Sequence, residues 1–192
     1  LVYMASQQFD RARRYSKLSA RLKGDIKVGW GNYANVQNEA RRLLFSVADQ
    51  EVIDEACENV LDDELGYMLP KFQLQFNVAN LTRLPLPLRC YVACASVLYG
   101  DVEDADLIKI HSRSRKLSLT TYENFEGKLP VLKKRVKIDL KSQKVRIYEY
   151  DYEKDEMTGT DLNHAYWRIA YTTGLISEKT YIAGLDNDCK AL

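Results

Sequence analysis

The sequence predicts an α+β fold: an N-terminal helical lobe, a buried central helix, an antiparallel sheet of about four strands and a C-terminal helix. Three observations carry it. Apolar residues recur at helical spacing through the first sixty positions. The run from Leu84 to Gly100 holds one charge, Arg89, and is closed by glycine. Four stretches between Ala105 and Tyr150 alternate apolar and polar residues with period two. The implied divisions are a helical lobe over 1–60, a helix and sheet over 61–150, and an acidic loop with a helix over 151–192.

The length, 192 residues with 46% hydrophobic and 29% charged side chains, suits one sizeable core. The longest apolar run, Cys90 to Tyr99, is about half of the ~20 residues that cross a bilayer. No basic start precedes an apolar leader. A cytoplasmic protein without membrane contact is therefore expected. The chain starts at Leu1 in mid-pattern, as a domain cut from something longer would.

Leu1 to Phe9 reads as a short helix, joined by a basic link to a second over Ser16 to Lys27, with Leu18, Leu22 and Ile26 four apart. Gly29-Trp30-Gly31 breaks it. Asn32 to Val47 follows, with Tyr33, Val36, Ala40, Leu43, Leu44 and Val47 on one face and Arg41 and Arg42 largely off it. Asp49 is placed to cap a helix striped by Val52, Ile53, Ala56, Cys57 and Val60. Helix, glycine turn and basic helix also fit a DNA-reading helix-turn-helix, against the plainer bundle that packs on a sheet.

Tyr67 to Ala79 has no firm period, although Phe72, Leu74 and Phe76 alternate as in a strand. Pro85 and Pro87 suit the first turn of the central helix. Its core side is Leu88, Tyr91, Val92, Ala95, Leu98 and Tyr99. The strands then centre on Ile108 and Ile110, on Leu117 and Leu119, on Val136, Ile138 and Leu140, and on Val145 and Ile147. Ser112 to Arg115 and Ser142-Gln143 are their loops, and Leu129 to Lys134 reads as a helical turn. Asp161 to Thr173 reads as the C-terminal helix.

The net charge of +1 hides four blocks. Residues 1–48 carry nine basic and three acidic side chains; residues 49–104 carry three and eleven. Residues 105–146 carry twelve and four; residues 147–192 carry four and nine. The alternation puts Lys109, His111, Lys116, Arg135, Lys137, Lys141, Lys144, Arg146 and Tyr148 on the outward sheet face, with Arg113 and Arg115 in the loop beside it. Clustered cations with an aromatic suit a phosphate backbone, so these residues, with Arg41 and Arg42, are the candidate DNA contacts. A solvated face, or one covered by the acidic stretch 49–64, explains the same charges.

Chemistry has little to stand on. Gly29-Trp30-Gly31 lacks the third glycine and preceding strand of a nucleotide loop, and two histidines build no nucleophile–base pair. Cys57, Cys90, Cys94 and Cys189 have no zinc-ligand spacing and read as reduced thiols. No cofactor or metal is expected. One weak catalytic pair exists: Asp139 and Lys141, with Asp106 or Glu123 upstream, imitate the acidic-x-Lys centre of metal-dependent nucleases.

The stretches Leu1-Val-Tyr, Gly31-Asn-Tyr, Glu39-Ala-Arg-Arg-Leu-Leu-Phe45 and Val52-Ile-Asp-Glu-Ala-Cys57 add a resemblance. So do Leu84-Pro-Leu-Pro-Leu-Arg-Cys-Tyr-Val-Ala-Cys94, Leu98-Tyr-Gly-Asp101, Ala105-Asp-Leu-Ile-Lys-Ile-His111, Tyr122-Glu-Asn-Phe125 and Arg135-Val-Lys-Ile-Asp-Leu140. In their order and spacing the chain resembles the C-terminal region of the bacterial methyltransferase family associated with DNA phosphorothioation. That resemblance implies an accessory domain of a DNA-modification or phage-defence protein, without the S-adenosylmethionine site of the family's N-terminal part. It implies DNA, the methyltransferase part or other subunits of such a system as partners. It carries over no catalytic residue.

Overall fold

The structure is a computed structural model that describes residues 1–9, 14–100, 102–126 and 130–150. The expected C-terminal helix and the division at 151–192 lie outside the described residues.

Among the described residues five α-helices form: α1 (Val2–Ser6), α2 (Ala20–Trp30), α3 (Tyr33–Ser46), α4 (Gln50–Asp62) and α5 (Leu86–Tyr99). The starts of α2, α3 and α4 follow from side-chain caps. Ser19 Oγ accepts the Leu22 N–H at 3.3 Å, Asn32 Oδ1 accepts that of Asn35 at 2.9 Å, and Asp49 Oδ1 accepts that of Glu51 at 3.0 Å. Gly31, at φ +74°, ends α2 in backbone that favours glycine. Pro85 and Pro87 open α5, where a missing N–H costs nothing.

Among the described residues the sheet has six antiparallel strands in sequence order: β1 (Tyr67–Leu69), β2 (Gln73–Asn77), β3 (Leu107–His111), β4 (Lys116–Glu123), β5 (Val131–Asp139) and β6 (Lys144–Glu149). The four expected strands are β3 to β6, so the count of about four is corrected by two. The additional pair, β1 and β2, is joined by a tight turn in which Lys71 (φ 66°) and Phe72 (φ 55°) both adopt positive φ. Phe72 therefore belongs to that turn and not to the strand, which breaks the alternation it shares with Leu74 and Phe76. The start of β5 is a second correction, since Val131 to Lys134 are strand where a helical turn was expected. Thr121 pairs with Lys134 and Tyr122 with Leu132, so a bulge at Lys133 lets the ladder continue to Glu123 and Val131.

Strand parity divides the sheet. Leu74, Phe76, Ile108, Ile110, Leu117, Leu119, Val136 and Ile138 are buried on one face and join helix residues Met4, Ile26, Val36, Ala40, Ile53 and Val60 in a continuous core. Helix α5 packs on β5 and β6 and, on its other sides, on α1, α3 and α4. Leu88, Cys90, Tyr91, Val92 and Ala95 are buried on it, whereas Leu98 and Tyr99, expected on its core side, are half-buried and Leu86 and Val97 are exposed. The Tyr91 hydroxyl donates to the Lys116 carbonyl at 3.2 Å, fixing α5 against the start of β4. Lobe and sheet thus share one core.

Among the described glycines, Gly66 has no room for a side chain. A Cβ there would stand 2.8 Å from the Gln75 carbonyl oxygen and 3.2 Å from Val60 Cγ1. Its absence lets β1 leave the end of α4 and lie against β2. Cys57 and Cys90 are buried and Cys94 is half-buried, and burial pushes the Cys57 thiol up to about 12.

Candidate nucleic-acid interface

The face of the sheet opposite the helices is built from three cross-strand rows. Tyr67, Gln75, Lys109, Ser118, Lys137 and Arg146 form the middle row through successive registers. Leu69, Gln73, His111, Lys116, Asp139 and Lys144 flank it on one side. Asn77, Leu107, Thr120, Arg135 and Tyr148 flank it on the other. At ~4.8 Å between strands, each full row is about 24 Å long.

Seven of the sequence candidates meet here: Lys109, His111, Lys116, Arg135, Lys137, Lys144 and Arg146. In these rows the six Lys and Arg side chains face one carboxylate, Asp139. Lys137 Nζ lies 5.2 Å from the centre of the Tyr148 ring, so an aromatic surface stands among the cations. The acidic stretch does not cover this face with its helix: α4 packs against α5 on the far side of the sheet.

The other candidates are placed elsewhere. Arg41 and Arg42 lie on the exposed side of α3, in the helical layer, where Arg42 pairs with Glu39 at 2.7 Å. One ligand spanning the sheet rows does not reach them, and α3 spends Val36, Ala40 and Leu43 on the core as in a plain bundle. Arg113 pairs with Asp54 of α4 at 3.0 Å and stacks 4.5 Å over the Phe72 ring. Arg115 donates to the Val47 and Ala48 carbonyls, each at 2.6 Å. These two arginines of the β3–β4 loop are structural ties to the helical layer. Lys141 is exposed in the β5–β6 turn, at the margin of the face.

The nuclease imitation finds no support in the geometry. Asp139 Oδ1 accepts the backbone N–H groups of Lys141 and Ser142, both at 3.1 Å, and Oδ2 faces Lys116 Nζ at 3.6 Å. The bond from the Ser142 N–H, more than any other contact, holds its carboxyl below the usual carboxylate range. Asp106 accepts the Tyr122 N–H at 2.7 Å, and Glu123 pairs with Lys133 at 3.2 Å. Asp139 sits opposite Lys116 at one end of β4 and Glu123 lies at the other, roughly 23 Å away at ~3.3 Å per residue. Among the described residues no group of three or more His, Cys, Asp or Glu side chains converges as metal ligands would.

Two depressions mark the face. The first, about 170 Å³, is lined by Gln73, Gln75, Lys109, His111, Ser118, Thr120, Arg135 and Lys137, among others. The second, about 280 Å³, shares Gln75 and Leu107 with it and is rimmed by Asn80, Phe125 and Glu126. Gln75 is only 3% exposed, and its Nε2 has no hydrogen-bond partner. Sequence reasoning missed this residue. Gln73, Gln75 and Asn77 do alternate with Leu74 and Phe76, which was the available signal.

His111 completes the floor. Its Nε2 lies 3.0 Å from Ser118 Oγ, and Gln73 and Lys116 are its register neighbours on β2 and β4. Burial first, then the cations of Lys109, Lys137 and Lys116, push its pKa down from 6.5 to about 4. Between those values the unfolded chain binds a proton that the folded chain refuses, so the contribution of His111 to stability is lost as pH falls from 6.5 towards 4. The melting temperature should therefore drop between pH 7 and pH 5, by less in His111→Gln, which does not titrate. Equal drops in both proteins would remove this role from His111.

Comparison of the chain with protein-family models, curated proteins and solved structures returns no match.

Proposed function

We propose that this chain is a non-catalytic DNA-contacting module of a bacterial DNA-modification or defence protein, and that the polar face of its sheet is the contact surface. The observation that carries this is the gathering of Lys109, Lys116, Arg135, Lys137, Lys144 and Arg146 from four strands onto one face, where Asp139 is the one carboxylate within the described cross-strand rows and Glu64 and Glu126 line the depression beyond them. A chain folding for stability alone gains nothing from like charges placed opposite one another, as Lys137 and Arg146 are. A polyanion repays that repulsion by releasing its counterions. The resemblance to the C-terminal region of the phosphorothioation-associated family points to the same class of partner.

The test is titration of a short DNA oligonucleotide at several salt concentrations. With six cations engaged, the logarithm of affinity should fall against that of salt with a slope of roughly −4 to −5. Absence of binding at low salt would overturn the proposal. It would leave a docking surface for other subunits of the same system as the reading to pursue.

A further inference from the structure

The polar face also carries evidence on which form of DNA it suits. B-DNA admits an α-helix or a two-stranded ribbon into its major groove, which is ~12 Å wide. The six-stranded face is about 24 Å across, twice that width. A duplex laid on it would touch the exposed cations at its phosphates and bring no base edge to the floor. Yet the floor holds a buried donor that lacks a partner, the Gln75 amide. Gln75 is almost fully buried, lines both depressions and leaves its Nε2 unbonded; Ser118, 8% exposed, lies one strand beyond Lys109 in the same row. A buried amide donor without an acceptor is costly, so something that supplies an acceptor is favoured at that point.

The dimensions limit the occupant. A volume of about 170 Å³ is below the ~300 Å³ at which pockets for drug-sized ligands begin. Around the floor stand Lys109, Arg135 and Lys137, cations suited to a phosphate; Tyr148, exposed beside Lys137, offers a ring for a base to stack on.

Resting on the DNA contact argued above, we propose that this face holds DNA as a single strand, with one unpaired nucleotide seated in the depression over Gln75. The polar edge of its base meets the Gln75 carboxamide, and its phosphate lies among Lys109, Arg135 and Lys137. Sheet faces suit this mode because unstacked bases can be splayed across them, whereas paired bases cannot.

The experiment compares a 20-nucleotide strand with the same sequence as a duplex, at one salt concentration, on the whole chain and on Gln75→Leu. The single strand should bind about tenfold more tightly than the duplex. Gln75→Leu should lose at least about fivefold of single-strand affinity and a clearly smaller factor of duplex affinity. Should that variant melt early, photocrosslinking of a 4-thiothymine strand to the unaltered chain gives the same answer, with adducts expected on β2 to β5. Equal affinity for strand and duplex, or crosslinks confined to the helices, overturns the single-strand proposal and leaves the DNA contact standing. Binding to neither form overturns both.

Discussion

Reversing two charges on the sheet, Lys137→Glu with Arg146→Glu, should cost at least about a hundredfold in DNA affinity at moderate salt. The two side chains are direct register partners on β5 and β6, and both are exposed. Each lost phosphate contact removes close to one unit from the salt slope, and each new carboxylate repels the backbone besides. Stability should hardly move. The natural pair already sets like charge against like, and the double variant keeps that arrangement with the sign reversed. Arg41→Glu with Arg42→Glu makes the same change of charge on α3 and should alter affinity by less than about threefold, through long-range charge alone. A comparable loss from both double variants would mean that net charge matters and the face does not.

Arg115→Ala should behave in the opposite way: a large loss of stability with no loss of DNA affinity in the folded fraction. The guanidinium spans from the β3–β4 loop to the Val47 and Ala48 carbonyls, just past the end of α3. Those oxygens belong to the orphan acceptors that follow a helix, and a cation there also meets the negative end of the helix dipole. Losing two charge-assisted bonds of this kind should cost about 2–4 kcal/mol, or roughly 5–10 °C in melting temperature for a chain of this size. Arg115→Lys keeps the charge but not the fork, and should recover less than half of the loss. If Arg115→Ala melts like the parent and binds DNA poorly, Arg115 belongs to the interface after all.

The contrast between Lys137 and Arg115 shows how far a sequence reaches. Parity on a strand is a rigid constraint, so alternation around Val136 and Ile138 is enough to put Arg135 and Lys137 on the outer face. In a loop no such constraint applies. Arg113 and Arg115 have the same charge as their strand neighbours, but Asp54 and two carbonyls of the α3–α4 junction claim them from more than fifty residues away. The helices were legible for the same reason as the strands, with caps at Ser19, Asn32 and Asp49 agreeing with the stripes behind them.

What was not legible has identifiable causes. A three-residue strand such as β1 is too short to show a period, and Lys71 and Phe72 at positive φ interrupt the alternation that would have revealed β2. A bulge hid the start of β5, because one extra residue reverses parity and makes a strand look irregular. Gln75 escaped for a different reason. Charge marks a surface in sequence, whereas an uncharged amide becomes conspicuous only once burial and the lack of a partner are visible.

The most direct measurement of the central claim is the pattern of NMR shift changes as an oligonucleotide is added to the whole chain. Contact through the sheet should move the backbone amides of Lys109, Ser118, Lys137 and Arg146 and the side-chain amide of Gln75, while α3 around Arg41 and Arg42 stays in place. Changes centred on α3, with those strand amides unmoved, would contradict it.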